Sequence, residues 1–118
     1  MNKDFLMQLS HEDFYEVMMD YQYEEPPEEL RSPQNKVHGC ATDVWIALID
    51  GEIYHDSSGM FVKGILTAII DDLKSNNYAD VQNIELTDFP YVTPARISMR
   101  RMRGFDMALK KIKELLAV

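Results

Sequence analysis

Apolar residues recur along the chain at two different spacings, and the change in spacing divides it into predicted elements. The stretch 10–13 (SHED) resembles a helix capping box, and apolar residues follow it at intervals of three and four. This pattern predicts an amphipathic helix over residues 11–23. The proline pair at 26–27 cannot continue a helix, so residues 24–33 are expected to form an exposed connector.

The middle of the chain has the composition of β-structure. The continuous apolar run at 44–49 predicts a strand that is covered on both faces. Asp50-Gly51 is typical of a two-residue hairpin turn, and residues 52–55 are expected to return as the antiparallel partner. A third short strand is expected at 36–38, before a turn at Gly39-Cys40.

The second half of the chain is predicted to be mainly helical. Ser57 or Ser58 is expected to cap a helix whose apolar face runs over 61–73. A short helical turn is predicted at 78–83. Thr93-Pro94 resembles an N-cap followed by a first-turn proline, and the chain is expected to end in a long amphipathic helix.

Length and composition favour one globular domain. The 118 residues are too few for two ordinary domains, and a hydrophobic fraction of 46% is normal for a folded protein. The predicted fold class is therefore α+β, a small antiparallel sheet with helices packed on one side, in a single domain over residues 1–118.

Charge and cysteine content exclude several kinds of function. The net charge of −8 repels phosphate backbones, so no nucleic acid partner is expected. The longest apolar run is far below the roughly 20 residues of a membrane span, and the first ten residues contain no secretory apolar stretch. The protein is therefore expected to be soluble and cytoplasmic, with no membrane partner. With a single cysteine and no metal-spaced cluster, no metal site is predicted.

Charged residues are unevenly distributed along the chain. Residues 1–30 hold nine acidic side chains against one base, Lys3. The C-terminal part is basic, with Arg100, Arg101, Arg103, Lys110, Lys111 and Lys113. Two interpretations stay open: solvated faces that attract one another, or a bipolar docking surface for a protein partner.

Cys40 and the three histidines are the candidate reactive groups. Cys40 is either a buried structural residue or a reactive thiol. His11 is expected to be exposed in the first turn of a helix, and His55 to be a solvated side chain at a strand edge. His38 stands two residues before Cys40, and the two form a cysteine–histidine dyad only if the turn between them brings the side chains together.

Four short motifs occur in order along the chain and carry a resemblance. RSPQNKVHGC at 31–40 ends in a Val-x-Gly-Cys turn, and ATDVWI at 41–46 follows it. DSSGMFVKGI occupies 56–65, and ISMRRMRGF occupies 97–105. Together these motifs resemble the SufE family over residues 31–113.

The chain departs from the family pattern at three positions. Thr42 replaces a serine and keeps its hydroxyl, Ser58 stands where many members have an acid, and Arg103 replaces an amide residue of the last motif. The family arginine is matched by Arg101 without a gap, while Arg96 fits an alternative version of the same motif.

The resemblance implies a SufE/IscU-like α+β fold and a role as a sulfur acceptor. Cys40 would take persulfide sulfur from a SufS-like, pyridoxal-phosphate-dependent cysteine desulfurase, stimulate that enzyme, and pass the sulfur to an iron–sulfur scaffold, with no cofactor of its own. Arg101 would support the thiolate or its loop, and His38 is a further catalytic candidate from its spacing. The predicted partner-binding residues are Gly39, Asp56, Ser57, Lys63 and Arg103.

The chemistry of an acceptor gives expectations for the surroundings of Cys40. A thiolate must attack the donor persulfide, and Lys36, Arg101 and Arg103 would favour that anion if they fold near it. An apolar shelter for the sulfur is expected from Val37, Val44 and Trp45, with Trp45 belonging mainly to the core. Lys63 and Gly64 are expected to supply a surface charge and helix packing.

Two rival classes of function stay open. A noncatalytic regulator or adaptor of a desulfurase would keep the fold without efficient transfer, as the changes at Ser58 and Arg103 and a shortened N-terminal region suggest. A cysteine-nucleophile hydrolase is disfavoured, because no oriented base or oxyanion motif accompanies Cys40.

Overall fold

The computed structural model describes residues 3–20, 27–40 and 42–117 and has the α+β architecture. Its helices are α1 (Lys3–Gln8), α2 (His11–Asp20), α3 (Met60–Ser75) and α4 (Met99–Leu116), and its strands are β1 (Val44–Ile49) and β2 (Glu52–Ser57). Short 3₁₀ turns lie at Glu28–Leu30, Pro33–Asn35, Val81–Asn83 and Leu86–Asp88. None of the described helices is both long and apolar enough to cross a bilayer.

Strands β1 and β2 form the predicted antiparallel hairpin. Val44 pairs with Ser57 at one end of the register. Asp50 and Gly51 have φ angles of 51° and 80°, the left-handed conformations that a type I′ turn requires at both central positions. The hairpin prediction is confirmed, and β2 extends two residues beyond the expected 52–55.

The third strand predicted at 36–38 is wrong. Lys36 makes one isolated antiparallel bridge with Trp45, and the Val37 amide donates to the Val44 carbonyl at 2.8 Å. The Pro33–Asn35 turn on one side and the Gly39 turn on the other leave too few extended residues for a ladder. The bridge still fixes the segment that leads to Cys40 against β1.

The helices pack on the hairpin and on one another. α3 lies against β2 and α2, and α4 lies against β1. Gly64 permits the contact between α2 and α3, because a Cβ at this position would overlap the Met18 carbonyl. The predicted packing role of Gly64 is therefore confirmed.

Three predicted helix starts have different outcomes. Ser10 caps α2, since its hydroxyl accepts the Asp13 amide at 3.1 Å. This helix ends at Asp20, and residues 21–23 of the prediction lie outside the described residues. The caps proposed at Ser57 or Ser58 and at Thr93 are wrong.

The observed N-caps of α3 and α4 lie one or two residues and five residues, respectively, beyond the predicted caps. Gly59 is the N-cap of α3, and the Ser57 hydroxyl, which belongs to β2, accepts the Gly59 amide at 3.1 Å. Ser98 caps α4 by accepting the Arg101 amide at 3.3 Å. Thr93 instead heads a separate turn, in which its carbonyl accepts the Ile97 amide.

Candidate functional site

Cys40 lies in the loop that precedes β1 and faces α4. Gly39, directly before it, has a φ of 92°, a conformation that favours glycine and sets the direction of the loop. The half-buried thiol donates a hydrogen bond to the Gly104 carbonyl of α4 at 3.4 Å. A Cβ placed on Gly104 would lie 3.5 Å from the thiol sulfur, so the loop rests on the helix backbone itself.

A small pocket of about 20 Å³ adjoins the thiol. This volume accommodates about one water-sized atom. Its apolar wall consists of Val44, Val62, Leu66, Phe105 and Ala108, and its polar side of Thr42, Arg100 and Arg101. The predicted shelter is correct only for Val44. Val37 packs in the core and Trp45 lies under another side chain, while α3 and α4 supply most of the wall.

Its surroundings favour the protonated form of the Cys40 thiol. Burial raises its pKa above the ordinary value. Lys36, which was expected to favour the anion, forms an ion pair with Asp43 at 3.0 Å, and the exposed Arg103 lies along a separate groove. Of the three cations that would favour the anion if they folded near the thiol, Arg101 alone lines the thiol pocket.

The structure brings Arg101 to the thiol pocket and places Arg96 elsewhere. The Arg101 guanidinium lies 4.8 Å from the centre of the Phe61 ring, and its side chain lines the pocket. Arg96 donates to the Leu6 and Met7 carbonyls at 2.8 and 3.0 Å and so holds the end of α1. This geometry is consistent with the ungapped match of Arg101 to the family arginine.

Asp56 anchors the segment that leads to the cysteine loop. Its side chain, 6% exposed, accepts Arg31 Nε at 2.6 Å, Lys63 Nζ at 3.2 Å and the Ser57 amide at 2.8 Å. Burial alone would raise the pKa of this carboxyl, but these hydrogen bonds outweigh it and the pKa is lowered. The Arg31 guanidinium also lies 4.7 Å from the centre of the Trp45 ring.

These ion pairs change the interpretation of two predicted contact residues. Lys63 is only 15% exposed and pairs with Asp56, so the expectation of a surface charge is wrong. The contact of Asp56 and Lys63 with a partner stays a prediction. Trp45, expected mainly in the core, is partly exposed under Arg31.

Thr42 fixes the loop on the other side of Cys40. Its methyl group occupies the space beside Gly59, where a Cβ would lie 2.8 Å from Thr42 Cγ2. The Ser57 hydroxyl donates to the Asp43 carbonyl at 2.8 Å and ties the same loop to β2. Sequence reasoning missed the pairing of Thr42 with Gly59, because it joins residues that no periodic pattern connects.

The histidines do not form a dyad with the thiol. His38 is exposed, and within the described chain the hydrogen-bond partner of Cys40 is the Gly104 carbonyl. His11 is exposed, as predicted. The prediction for His55 is wrong: the ring is 4% exposed, and its Nε2 lies 2.8 Å from Thr67 Oγ1. The described residues also contain no cluster of three or more metal-binding side chains.

A sequence model of the SufE family, described as an Fe-S metabolism associated domain, matches residues 1–116. This chain belongs to the SufE family. It is 34% identical over 102 residues to the cysteine desulfuration protein SufE of Wigglesworthia glossinidia brevipalpis. This match covers 75% of this chain and 66% of that relative. It is also 34% identical over 108 residues to an uncharacterised SufE-like protein of Synechocystis sp., over 84% of this chain and 67% of the relative. The chain thus spans about two thirds of the length of these curated relatives.

The burial of Cys40 predicts slow alkylation of this SufE family member. The raised pKa lowers the fraction of thiolate, and the hydrogen bond to Gly104 holds the sulfur against α4. We expect iodoacetamide to label the native chain at least about tenfold more slowly than the urea-unfolded chain, with rates followed by mass spectrometry. Equal rates in the two states would contradict a sheltered thiol.

The two candidate arginines are expected to have separable roles. On the sulfur-acceptor role that the family resemblance implies, Arg101→Ala should slow sulfur uptake by about tenfold. It should lower the free energy of unfolding by only about 1 kcal/mol, from the lost contact with Phe61. Arg96→Ala should cost about 2 kcal/mol of stability through its two lost hydrogen bonds, with uptake unchanged. Urea unfolding and persulfide uptake are measured for both variants. Impaired uptake in the Arg96 variant alone would show that the alignment is wrong.

Proposed function

We propose that this chain accepts persulfide sulfur on Cys40 from a cysteine desulfurase and relays it toward iron–sulfur cluster assembly. Membership of the SufE family supports the class of function, and one relative is named a cysteine desulfuration protein. The observation that carries the proposal is the site itself. The only cysteine of the chain is half-buried beside a pocket with room for about one more atom.

The transfer is a thiol exchange that leaves the overall oxidation state unchanged. The Cys40 thiolate attacks the outer sulfur of the donor persulfide, and a new sulfur–sulfur bond forms as the donor bond breaks. The donor cysteine leaves as a thiolate and is then protonated. Cys40 thereby becomes the persulfide, and the desulfurase cysteine is free for another turnover, which accounts for stimulation of the enzyme.

The resting geometry couples proton loss to movement of the loop. The Cys40 thiol donates a hydrogen bond to the Gly104 carbonyl, so a thiolate at the same place would lose this bond and face a carbonyl oxygen. When Cys40 loses its proton in the complex with the donor, movement of its sulfur away from the surface of α4 is therefore favoured. The shelter protects the thiol between turnovers, and docking exposes it.

Arg101 is suited to the anionic stage of the transfer. Its side chain lines the same pocket as the thiol, and the planar array of N–H donors of a guanidinium group suits an anion. A hydrogen bond from this group would compensate the negative charge of the thiolate or of the persulfide. A free cysteine thiol persists in a reducing compartment, where disulfides rarely form, so the proposal includes a cytoplasmic location for the chain.

The test is sulfur transfer from a purified desulfurase. The chain is incubated with the pyridoxal-phosphate-loaded enzyme and free cysteine, and its intact mass and peptides are then measured. The expected result is one added sulfur atom on the peptide that contains Cys40, together with faster desulfurase turnover. An unmodified chain that still binds and stimulates the enzyme would support the adaptor instead. An unmodified chain with no effect on turnover would reject both functions.

A further inference from the structure

A second and larger concavity lies on α4, beyond the thiol pocket. This groove, about 780 Å³ in volume, runs between α4 and the Leu86–Asp88 turn. Leu86, Met102 and Met107 contribute to its apolar surface, and methionine side chains adapt readily to different partners. The α4 residues of the groove, from Met99 to Lys113, extend over roughly 21 Å at 1.5 Å per residue.

The rim of the groove is cationic in an otherwise acidic protein. Arg103, Lys110 and Lys113 line it against two carboxylates, Glu85 and Asp106, although the chain as a whole carries −8. Among the described residues, no carboxylate lies within ion-pair distance of any of these three cations. The two carboxylates of the groove balance these three cations only in part and form no ion pair with them, and an acidic partner segment would compensate the remaining charge.

The groove continues to the back of the cysteine loop. Met107 lines the groove, and a Cβ placed on Gly39 would lie only 3.3 Å from Met107 Cγ. Gly39 in turn directly precedes Cys40. A partner segment in the groove would thus contact Met107, the side chain that packs against the residue before Cys40.

We infer that this groove binds a segment of the sulfur donor that carries both acidic and apolar side chains. The occupant would place its apolar side chains on the methionine surface and its carboxylates against Arg103, Lys110 and Lys113. The continuity with Gly39 favours the donor over an unrelated protein, because docking here aligns the donor with Cys40. The inference rests on the proposed sulfur-acceptor function and adds the surface that gives the donor its affinity.

Two neighbouring lysines provide a charge-matched test. Lys110 lines the groove and Lys111 does not, yet both lie near the end of α4, where a change to glutamate has the same effect on the helix dipole. Sulfur uptake by Lys110→Glu, Lys111→Glu and the unsubstituted chain is measured from the desulfurase over a range of acceptor concentrations. Uptake from inorganic polysulfide, a donor that requires no docking, is measured in parallel, with circular dichroism as a check of folding.

The expected result is a rise in the KM of the desulfurase for the Lys110→Glu acceptor of about tenfold at low salt, with kcat within about twofold. The difference should shrink as ionic strength increases, and polysulfide uptake should not change. Lys111→Glu should behave like the unsubstituted chain, and Lys113→Glu like Lys110→Glu.

Other outcomes overturn the inference. Equal KM values for the two glutamate variants would show that the donor does not use the groove. A dimer of the unsubstituted chain, seen by light scattering and lost in Lys110→Glu, would assign the groove to a second copy. If the unsubstituted chain takes no sulfur from the desulfurase, the proposed function itself fails, and this is recognised before any variant is compared.

Discussion

Cys40→Ser is expected to abolish sulfur uptake and leave the fold nearly intact. A serine hydroxyl is not ionised at neutral pH and cannot attack a persulfide, whereas its volume is close to that of the thiol. Serine can also donate to the Gly104 carbonyl, as the thiol does, so the loop keeps its support. We expect the free energy of unfolding to change by less than about 1 kcal/mol, because the replaced hydrogen bond is a weak one.

Mass spectrometry after incubation with the desulfurase measures this effect, and urea unfolding measures stability. Cys40→Ala is the matched control, since it removes both the nucleophile and the hydrogen-bond donor. Both variants should gain no sulfur, and only the alanine variant should loosen the loop. Sulfur recovered on the serine variant, or undiminished stimulation of the desulfurase by it, would contradict Cys40 as the acceptor.

Local signals in the sequence predicted the elements that depend on neighbouring residues. The Asp50-Gly51 turn was correctly predicted, because left-handed φ angles at both positions are a property of these residue types. The terminal helix was predicted from its apolar spacing alone. The start of α4 was misplaced at Thr93, because Thr93-Pro94 and Ser98 are both good caps locally and only tertiary packing selects Ser98.

The details of the site depend on contacts between distant parts of the chain. Cys40 and the Gly104 carbonyl are 64 positions apart, and Arg96 reaches α1 across 90. No periodicity reveals such pairs, so the residues alone could not distinguish Arg96 from Arg101. Only the ordered motifs of the SufE family pointed to the cysteine loop, and they did so without its geometry.

The electrostatics of the thiol depend on which of the candidate cations the fold brings close to it, and the sequence does not reveal this. Lys36 is close to Cys40 in the sequence, but in the folded chain Lys36 forms an ion pair with Asp43. Burial then acts on the thiol without compensation and raises its pKa. Under the proposed function, activation of the nucleophile would accompany docking of the donor.

His55 predicts a loss of stability in mild acid. Burial is the main cause that lowers its pKa from 6.5 to about 4, and the nearby Lys63 and Lys74 act in the same direction, against Asp56. The unfolded chain therefore takes up a proton near pH 6.5, whereas the folded chain excludes it until about pH 4. The stabilisation is complete above pH 6.5 and is lost as the pH falls through this window. The shift corresponds to about 3 kcal/mol by pH 4.

Urea unfolding at a series of pH values between 7 and 4.5 measures this effect. The range stays above the lowered pKa of Asp56, so its ion pairs with Arg31 and Lys63 remain formed throughout. His55→Gln is the matched variant, because glutamine is neutral at every pH and can still form a hydrogen bond with Thr67. The variant should be less stable than the unsubstituted chain at pH 7, and its stability should change little toward pH 4.5. An equally steep loss in both proteins would assign the acid sensitivity to groups other than His55.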